Sequence, residues 1–269
     1  MYGGEANKDF PKALNQGIRA NEAKKSERET KTATMTRLSG VPALPFTYVA
    51  HVLEVVAAVL VLVWNIHFRG GLAWDSTNKS LIFNLHPVVM VIGFLILGSE
   101  AIMSYKGLPF NKEVNKKIHL TLHLIALVLG IWGISAAFKF HNESGIDNLY
   151  SLHSWVGLGT ICLYGIQWIF GFVTYFYPGG SQALRREALP WHALFGMFVY
   201  ILALAAAQLG FLEKLTFIES AGVLKYGAEA FLVNFTALVV ILLGAAVVIS
   251  AAIPGPSEDP HSYSSISDA

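Results

Sequence analysis

Four histidines have the residue type and the spacing for a metal-centred electron carrier. His86, His119, His153 and His192 each lie near the start of a separate long apolar segment. Because successive membrane helices run in opposite directions, His86 and His153 fall near one face of a bilayer, and His119 and His192 near the other. Imidazole is a common axial ligand of haem iron, and the facing helices of a bundle are a common place for a cofactor. Two pairs of imidazoles, one pair near each face, are what two stacked b-type haems need.

His123 leaves the ligand set open. It follows His119 by one helical turn, so both side chains share a helix face, as two zinc ligands do. On these residues alone, either histidine can be the ligand. Glu54 and Glu100 in the first two segments lie at other depths and do not complete a metal site with them. The single cysteine, Cys162, has no neighbouring thiol, which indicates a packing role.

The histidines are carried by six apolar segments of membrane-spanning length. Hydrophobic residues make up 54% of the chain and charged residues 14%, and the mean hydropathy is +0.51. Each segment has about 20 residues, enough to cross ~30 Å of hydrocarbon as a helix, and all 19 Lys and Arg lie outside them. Because lipid offers no partner to open backbone groups, the sequence predicts an all-α polytopic membrane protein, with a four-helix core of helices 2–5 that holds two b haems. The predicted segments are 46–66, 84–105, 118–138, 152–176, 191–211 and 229–252.

Polar tails flank the membrane domain, which is predicted at residues 41–252. Residues 1–40 are mixed in charge and contain no apolar stretch typical of a secretory signal. Residues 253–269 are rich in Ser, Pro and Asp, and both tails are predicted to be disordered. The short loops of the two faces carry nearly equal numbers of Lys and Arg, but the juxtamembrane Lys31 and Arg37 favour a cytoplasmic N-terminus. Six spans then place both termini in the cytoplasm.

A series of short motifs lies between Val49 and Val247. In chain order they are HFRGGLAW, IFNLHPVVMVIGF, KKIHL, FKFHNES, LYSLHSWVG, YPGGS, LPWHALFG and FLEKLTF. In these motifs the chain resembles the cytochrome b561 family, ascorbate-dependent transmembrane oxidoreductases with six helices and two b haems. It looks most like the plant members of the vacuolar membrane. The resemblance implies that His86 pairs with His153 and His119 with His192 as haem iron ligands, and it selects His119 over His123.

The resemblance also implies roles for residues at both membrane faces. On the cytoplasmic face, the positions that match the family's ascorbate site are Lys112, Lys116, Tyr175 and Arg185. Lys and Arg suit an ascorbate monoanion and Tyr offers a hydroxyl donor, although basic residues at this edge also satisfy topology alone. Lys117 and Arg186 are adjacent alternatives. On the opposite face, Phe140 and His141, in a predicted loop, meet the electron acceptor. Candidates for contacts with the haem propionates there are Asn84, Arg69, Tyr150 and Glu213, the last predicted to follow the fifth helix.

The function that follows is one-electron transfer from cytoplasmic ascorbate, through two haem b groups, to monodehydroascorbate or a ferric chelate on the other side. This describes an ascorbate-dependent transmembrane electron transferase, or ferric reductase, of the tonoplast. A quinol-linked di-haem b cytochrome is the alternative with the same cofactors. A transporter with histidine proton relays and a membrane scaffold are the alternatives from other classes. The family resemblance implies a homodimer in membrane lipid, and nothing indicates a nucleic-acid partner.

Overall fold

Six helices long and apolar enough to cross a membrane dominate the computed structural model. The structure describes residues 24–26 and 43–253, and within those ranges it contains no strand. This confirms the predicted all-α, six-span architecture. The predicted tails, 1–40 and 253–269, lie almost entirely outside the described residues. The helices are α1 (Leu44–Phe68), α2 (Lys79–Gly107), α3 (Lys112–Ser144), α4 (Leu152–Phe176), α5 (Gln182–Ser220) and α6 (Ala228–Ala252).

Helices α2 to α5 form a closed ring. Helix α2 packs against α3, α3 against α4 and α4 against α5, and α5 returns to the middle of α2. Helices α1 and α6 pack against each other and against the α2 and α5 side of the ring. The fully buried Ala50 and Ala57 of α1 let its backbone approach α6 closely. The four helices that carry the paired histidines therefore enclose a common space, and α1 and α6 support it from outside.

Polar caps start the helices well before their apolar segments. The Asn111 side-chain oxygen accepts a hydrogen bond from the Val114 N–H at 3.0 Å, so α3 begins at Lys112. The Ser181 hydroxyl accepts from the Leu184 N–H at 3.2 Å and starts α5 in the same way. Such side chains satisfy backbone donors that the first helical turn leaves unpaired. The helices therefore project beyond the stretch that hydropathy identifies.

The longer helices correct several predicted placements. Lys112 and Lys116, predicted to precede the third helix, lie in the first turns of α3. Phe140 and His141, predicted in a loop, lie in its last turns. Glu213, predicted to follow the fifth helix, lies within α5. Hydropathy marks only the lipid-immersed part of each helix, whereas a capped helix continues into the interfacial region, where charged side chains remain solvated.

Two prolines lie inside helices next to paired histidines. The sequence predicts Pro87 in a first helical turn, but this is wrong, because the Asn78 cap starts α2 at Lys79 and leaves Pro87 in the helix interior. A proline there lacks the N–H for the helical hydrogen bond, and α2 adopts a π-helical form over Val89–Ile96. Pro190 lies inside α5, two residues before His192. The π segment of α2 closely follows His86, and π segments commonly occur at functional sites, whereas α5 remains α-helical around Pro190.

Candidate functional site

The first pair of imidazoles joins α2 to α4. The ring centroids of His86 and His153 lie 5.9 Å apart, with an interplanar angle of 79°. Nδ1 of His86 lies 3.0 Å from the Gly133 carbonyl oxygen on α3, and Nδ1 of His153 lies 2.9 Å from the Ala206 carbonyl oxygen on α5. Because a carbonyl only accepts, both Nδ1 atoms donate. Each Nε2 then carries a lone pair, as a metal ligand requires.

The second pair joins α3 to α5. The ring centroids of His119 and His192 lie 6.2 Å apart at 68°. Nδ1 of His119 donates to the Ala101 carbonyl oxygen on α2 at 2.8 Å. His192 differs, because the Gln167 amide nitrogen lies 2.9 Å from its Nδ1 and donates to its backbone oxygen at 2.7 Å. Each of the four rings is therefore oriented by a partner on a neighbouring helix.

His123 has a different environment from its neighbour. Its Nδ1 lies 2.5 Å from the Tyr164 hydroxyl on α4, and its ring contacts that of His119 at 4.4 Å between centroids. Among residues 43–253, no group of three metal-ligand side chains includes His119 or His123. The geometry therefore gives His123 a helix-to-helix hydrogen bond and offers the zinc alternative no third ligand in that range.

The two pairs lie at opposite ends of the ring of helices. Along α2, His86 belongs to the first pair, and Ala101 orients a histidine of the second. At about 1.5 Å per residue, this separation places the two levels roughly 22 Å apart. The antiparallel arrangement expected from the sequence is therefore present, with one histidine pair near each end of the ring of helices.

A cavity of about 500 Å³ surrounds the first pair. Ligand pockets of this size hold a cofactor or substrate. Gly210 on α5 forms part of the wall, and a Cβ at this position would lie 2.8 Å from Cε1 of His153. The other contributors are mainly apolar side chains of α2 to α5, including Phe83, Met90, Phe94, Ile134, Leu158, Ala203, Ala206 and Phe211. An apolar cavity with two imidazoles on facing walls has the donor set and the space for a haem.

Residues 85–218, which contain all four paired histidines, match the sequence model described as eukaryotic cytochrome b561. The "probable ascorbate-specific transmembrane electron transporter 1" of Oryza sativa subsp. japonica is 68% identical over 86% of this chain and 99% of its own. The chain belongs to the cytochrome b561 family. The "transmembrane ascorbate ferrireductase 1" of Arabidopsis thaliana is 65% identical over 78% of this chain and 87% of its own. Cytochromes b561 are haem-containing integral membrane proteins, in agreement with the apolar cavity and its paired imidazoles.

Polar residues close one end of the cytochrome b561 cavity. The Glu213 carboxylate accepts a hydrogen bond from the Ser151 hydroxyl at 2.9 Å. The rings of His141 and Tyr150 stack with centroids 6.2 Å apart. Burial, together with the nearby Glu213 carboxylate, raises the pKa of the Tyr150 hydroxyl. All four of these side chains line the cavity, so the structure brings together three residues that the sequence analysis assigned to this face.

Lys214 is a cavity residue that the sequence analysis missed. Its Nζ lies 4.0 Å from the centroid of the Phe83 ring, and the side chain lines the same cavity as His141. The sequence could have indicated Lys214 as a site residue, because it directly follows the predicted site residue Glu213 in the FLEKLTF motif. As the cation at this end of a largely apolar cavity, Lys214 attracts anionic groups of a bound ligand.

Asn84 and Arg69 form hydrogen bonds with residues outside the cavity. The Asn84 amide donates to the carbonyl oxygens of Arg69 and Gly71, at 3.1 and 2.8 Å. The Arg69 guanidinium pairs with Glu229 on α6, which also accepts from the Trp64 indole N–H at 2.9 Å. Neither Asn84 nor Arg69 lines the cavity. Their contact with a haem propionate therefore stays a prediction, while their observed role is to fix the α1–α2 connection.

The opposite face gathers the residues predicted to bind ascorbate near His192. The Tyr175 ring lies 5.3 Å from the His192 ring, and its buried hydroxyl has no hydrogen-bond partner. Lys116 Nζ pairs with the Glu113 carboxylate at 2.8 Å, and Arg185 is close enough for its charge to act on the same carboxylate. Lys112 is the exposed first residue of α3. The start of α3 and the start of α5 therefore place cationic side chains at one face of cytochrome b561.

Gly179 shapes the approach to Arg185. The residue adopts a φ of +81°, and a Cβ at this position would lie 2.5 Å from a guanidinium nitrogen of Arg185. Only glycine adopts this backbone conformation readily while leaving room for the arginine. Gly179, the first glycine of the YPGGS motif, is therefore required because of its backbone conformation and its contact with Arg185, next to the proposed ascorbate site.

Proposed function

We propose that this cytochrome b561 is a di-haem oxidoreductase that carries single electrons across a membrane. Cytoplasmic ascorbate is the donor, and monodehydroascorbate or a ferric chelate on the other face is the acceptor. The observation that carries the proposal is the presence of two facing histidine pairs at opposite ends of one four-helix ring. A single pair would serve one face only, whereas two pairs connect both faces.

His86 with His153, and His119 with His192, are the side chains that would hold two b haems. Each haem would supply a one-electron carrier there. The protein contributes orientation, because Gly133, Ala206 and Ala101 accept hydrogen bonds from the Nδ1 atoms of His86, His153 and His119. Such outer contacts fix the ring tautomer and increase the basicity of the ligating nitrogen.

On the donor face, Lys116, Arg185 and Tyr175 are the proposed ascorbate contacts, with Lys112 at the entrance. Ascorbate is a monoanion, and the two cationic side chains attract it. The Tyr175 hydroxyl has no hydrogen-bond partner among the described residues, so it can donate to a bound ascorbate. Its position against His192 brings a bound ascorbate to the edge of the second histidine pair.

On the acceptor face, Phe140, His141 and Tyr150 form the proposed contact surface. The three side chains line the mouth of the cavity around His86 and His153. His141 and Tyr150 offer polar groups to an anionic chelate or an ascorbate radical, and Glu213 and Lys214 line the same cavity. A one-electron acceptor that docks here lies next to the first histidine pair.

Three further predictions belong to the proposal. The family resemblance implies a homodimer and location in the vacuolar membrane, and the juxtamembrane basic residues favour a cytoplasmic position of both termini. With six spans, the start of α1 and the end of α6 lie on the same face. The Lys112, Lys116 and Arg185 side chains at that face agree with a cytoplasmic orientation.

The visible spectrum of the purified protein, recorded before and after ascorbate with haem quantified per chain, tests the proposal. We expect two b haems per chain and a sharp reduced α-band on addition of ascorbate. Reduction by dithionite or a quinol but not by ascorbate would move the donor to a quinol. Absence of haem would overturn the proposal altogether.

A further inference from the structure

A second cluster of metal-ligand side chains lies apart from the paired histidines. His51 and Glu54 on α1 meet Glu100 on α2, and one ligand atom from each lies within 4.8 Å of the other two. Nδ1 of His51 is 2.7 Å from a Glu100 carboxylate oxygen and 3.2 Å from a Glu54 carboxylate oxygen. Glu100 directly precedes Ala101, whose carbonyl oxygen accepts a hydrogen bond from His119, so the cluster lies at the level of the second histidine pair but on the outer side of α2. The different depth that the sequence predicted for Glu100 is therefore wrong.

Glu54 has a buried carboxylate oxygen that a bound cation would suit. Its side chain is only 6% exposed, yet its Oε1 atom has no hydrogen-bond partner. A buried carboxylate oxygen without a partner is unfavourable, because the interior does not replace the hydration that it loses. A bound cation would satisfy this oxygen.

The donor set of the cluster also suits a cation. In the ion pairs described for residues 43–253, Glu54 and Glu100 have only His51 as a cationic partner. The two carboxyl groups therefore share one imidazole, and without a metal ion they can share a proton between them. A divalent ion neutralises both carboxylates and bonds directly to their oxygens. One imidazole and two carboxylates form a donor set that suits zinc and similar first-row ions.

Access to the cluster differs between its members. The side chains of His51 and Glu100 are 42% and 35% exposed, whereas Glu54 is buried behind them. A metal ion can therefore enter past the two partly exposed ligands and reach the buried carboxylate. Three protein ligands with one position left for water is a common zinc arrangement.

We propose that His51, Glu54 and Glu100 form a binding site for one divalent transition-metal ion. The site is separate from the axial ligands of the proposed haems, and it uses none of the residues assigned to ascorbate. It joins α1 to α2 near the face where the second histidine pair lies.

Zinc binding by the full-length protein in detergent tests the site. The protein is first treated with EDTA and then titrated with Zn²⁺ by calorimetry, with bound zinc quantified after dialysis and no ascorbate present. We expect one zinc per chain in the wild type. The Glu54→Gln and Glu100→Gln variants should bind it at least about tenfold more weakly, because each loses a charged ligand. His51→Gln changes a partly exposed side chain and gives the same test if a Glu54 variant does not fold.

Glu143→Gln is the matched control, because Glu143 pairs with Lys79 and Lys139 at the other end of the molecule. It should bind zinc like the wild type. Haem content and the far-ultraviolet dichroism of each variant report on folding. No zinc in the wild type, or equal zinc affinity in the Glu54 and Glu100 variants, would overturn the site and leave the three side chains sharing a proton. Because ascorbate is absent, this result does not depend on the proposed electron transfer.

Discussion

The absence of a side chain at Gly210 makes room for the His153 ring. A Cβ there would lie 2.8 Å from Cε1 and 3.1 Å from Nδ1 of that ring, closer than carbon atoms pack. We therefore expect Gly210→Ala to displace the ring from the Ala206 carbonyl oxygen and to weaken haem binding at the first pair. Haem quantified per chain should fall from two towards one.

Gly159→Ala is the control for this substitution. A Cβ at Gly159 meets nothing within 4 Å, and the residue lies on the same helix as His153. Haem content in this variant should equal that of the wild type. If Gly210→Ala also keeps two haems, the ring position inferred for His153 is wrong.

Removal of the Tyr175 hydroxyl tests whether this residue binds ascorbate or only packs against its neighbours. Because the hydroxyl is buried without a partner, Tyr175→Phe removes an unsatisfied group and should leave the free energy of unfolding unchanged or slightly higher. If the hydroxyl bonds to ascorbate, the same variant should raise the KM for ascorbate roughly tenfold, since a hydrogen bond to a charged ligand contributes about 1.5 kcal/mol. Steady-state reduction kinetics measure this change.

Tyr226→Phe provides the comparison at an exposed position on the loop before α6, where the side chain is 87% exposed. It should alter neither stability nor KM. An unchanged KM in Tyr175→Phe, together with unchanged stability, would remove Tyr175 from the proposed ascorbate site.

At the scale of helices, hydropathy predicted the number of helices but not their ends. The apolar segment of α3 was predicted at 118–138, whereas the helix runs from Lys112 to Ser144. Its start depends on the Asn111 cap, and its end on Gly145 in the left-handed conformation at φ 66°. These are single polar or glycine residues in mixed-polarity sequence, which a window of apolar residues does not detect.

Contacts between helices were harder to predict than positions along them. Antiparallel spans predicted which helices share a histidine pair, whereas the choice of His119 over His123 was implied only by the family resemblance. The carbonyl partners of Nδ1 depend on helix rotation, which apolar periodicity specifies weakly when lipid and core are both apolar. The approach of Glu54 to His51 and Glu100 was missed for a similar reason, because it arises from the packing of α1 on α2.

The N-cap of α3 leads to a prediction at this scale. Asn111→Ala removes the hydrogen bond to the Val114 N–H and should lower the free energy of unfolding by ~1 kcal/mol. Because Lys112 and Lys116 lie in the first turns, their fraying should also raise the KM for ascorbate while haem content stays the same. Chemical denaturation and steady-state kinetics measure the two effects.

Asn78→Ala is the matched cap variant at the start of α2, on the opposite face. Its side chain accepts from the Ser80 N–H at 3.2 Å, so the loss of stability should be similar. The KM for ascorbate should not change. Equal KM effects in both cap variants would show a general loss of order rather than a local effect on the donor face.

For the molecule as a whole, the decisive property is that the two histidine pairs lie roughly 22 Å apart along the helices. One pair lies beside Tyr175, and the other lies in the cavity that His141 and Tyr150 close. Each face therefore has its own histidine pair and its own set of polar contacts. Loss of one pair should consequently interrupt electron flow at a defined level.

Proteoliposomes with ascorbate on the Lys116 side and an impermeant ferric chelate on the other side distinguish the two levels. In His153→Ala, the His119 and His192 pair is intact, so ascorbate should still reduce about half of the wild-type haem signal while chelate reduction is lost. In His192→Ala, the donor-side pair is broken, so both signals should be lost. His261→Ala changes a histidine of the C-terminal tail and should retain both. Chelate reduction at the wild-type rate in His153→Ala would show that electrons leave without the first pair, and the two-level path across the membrane would then be wrong.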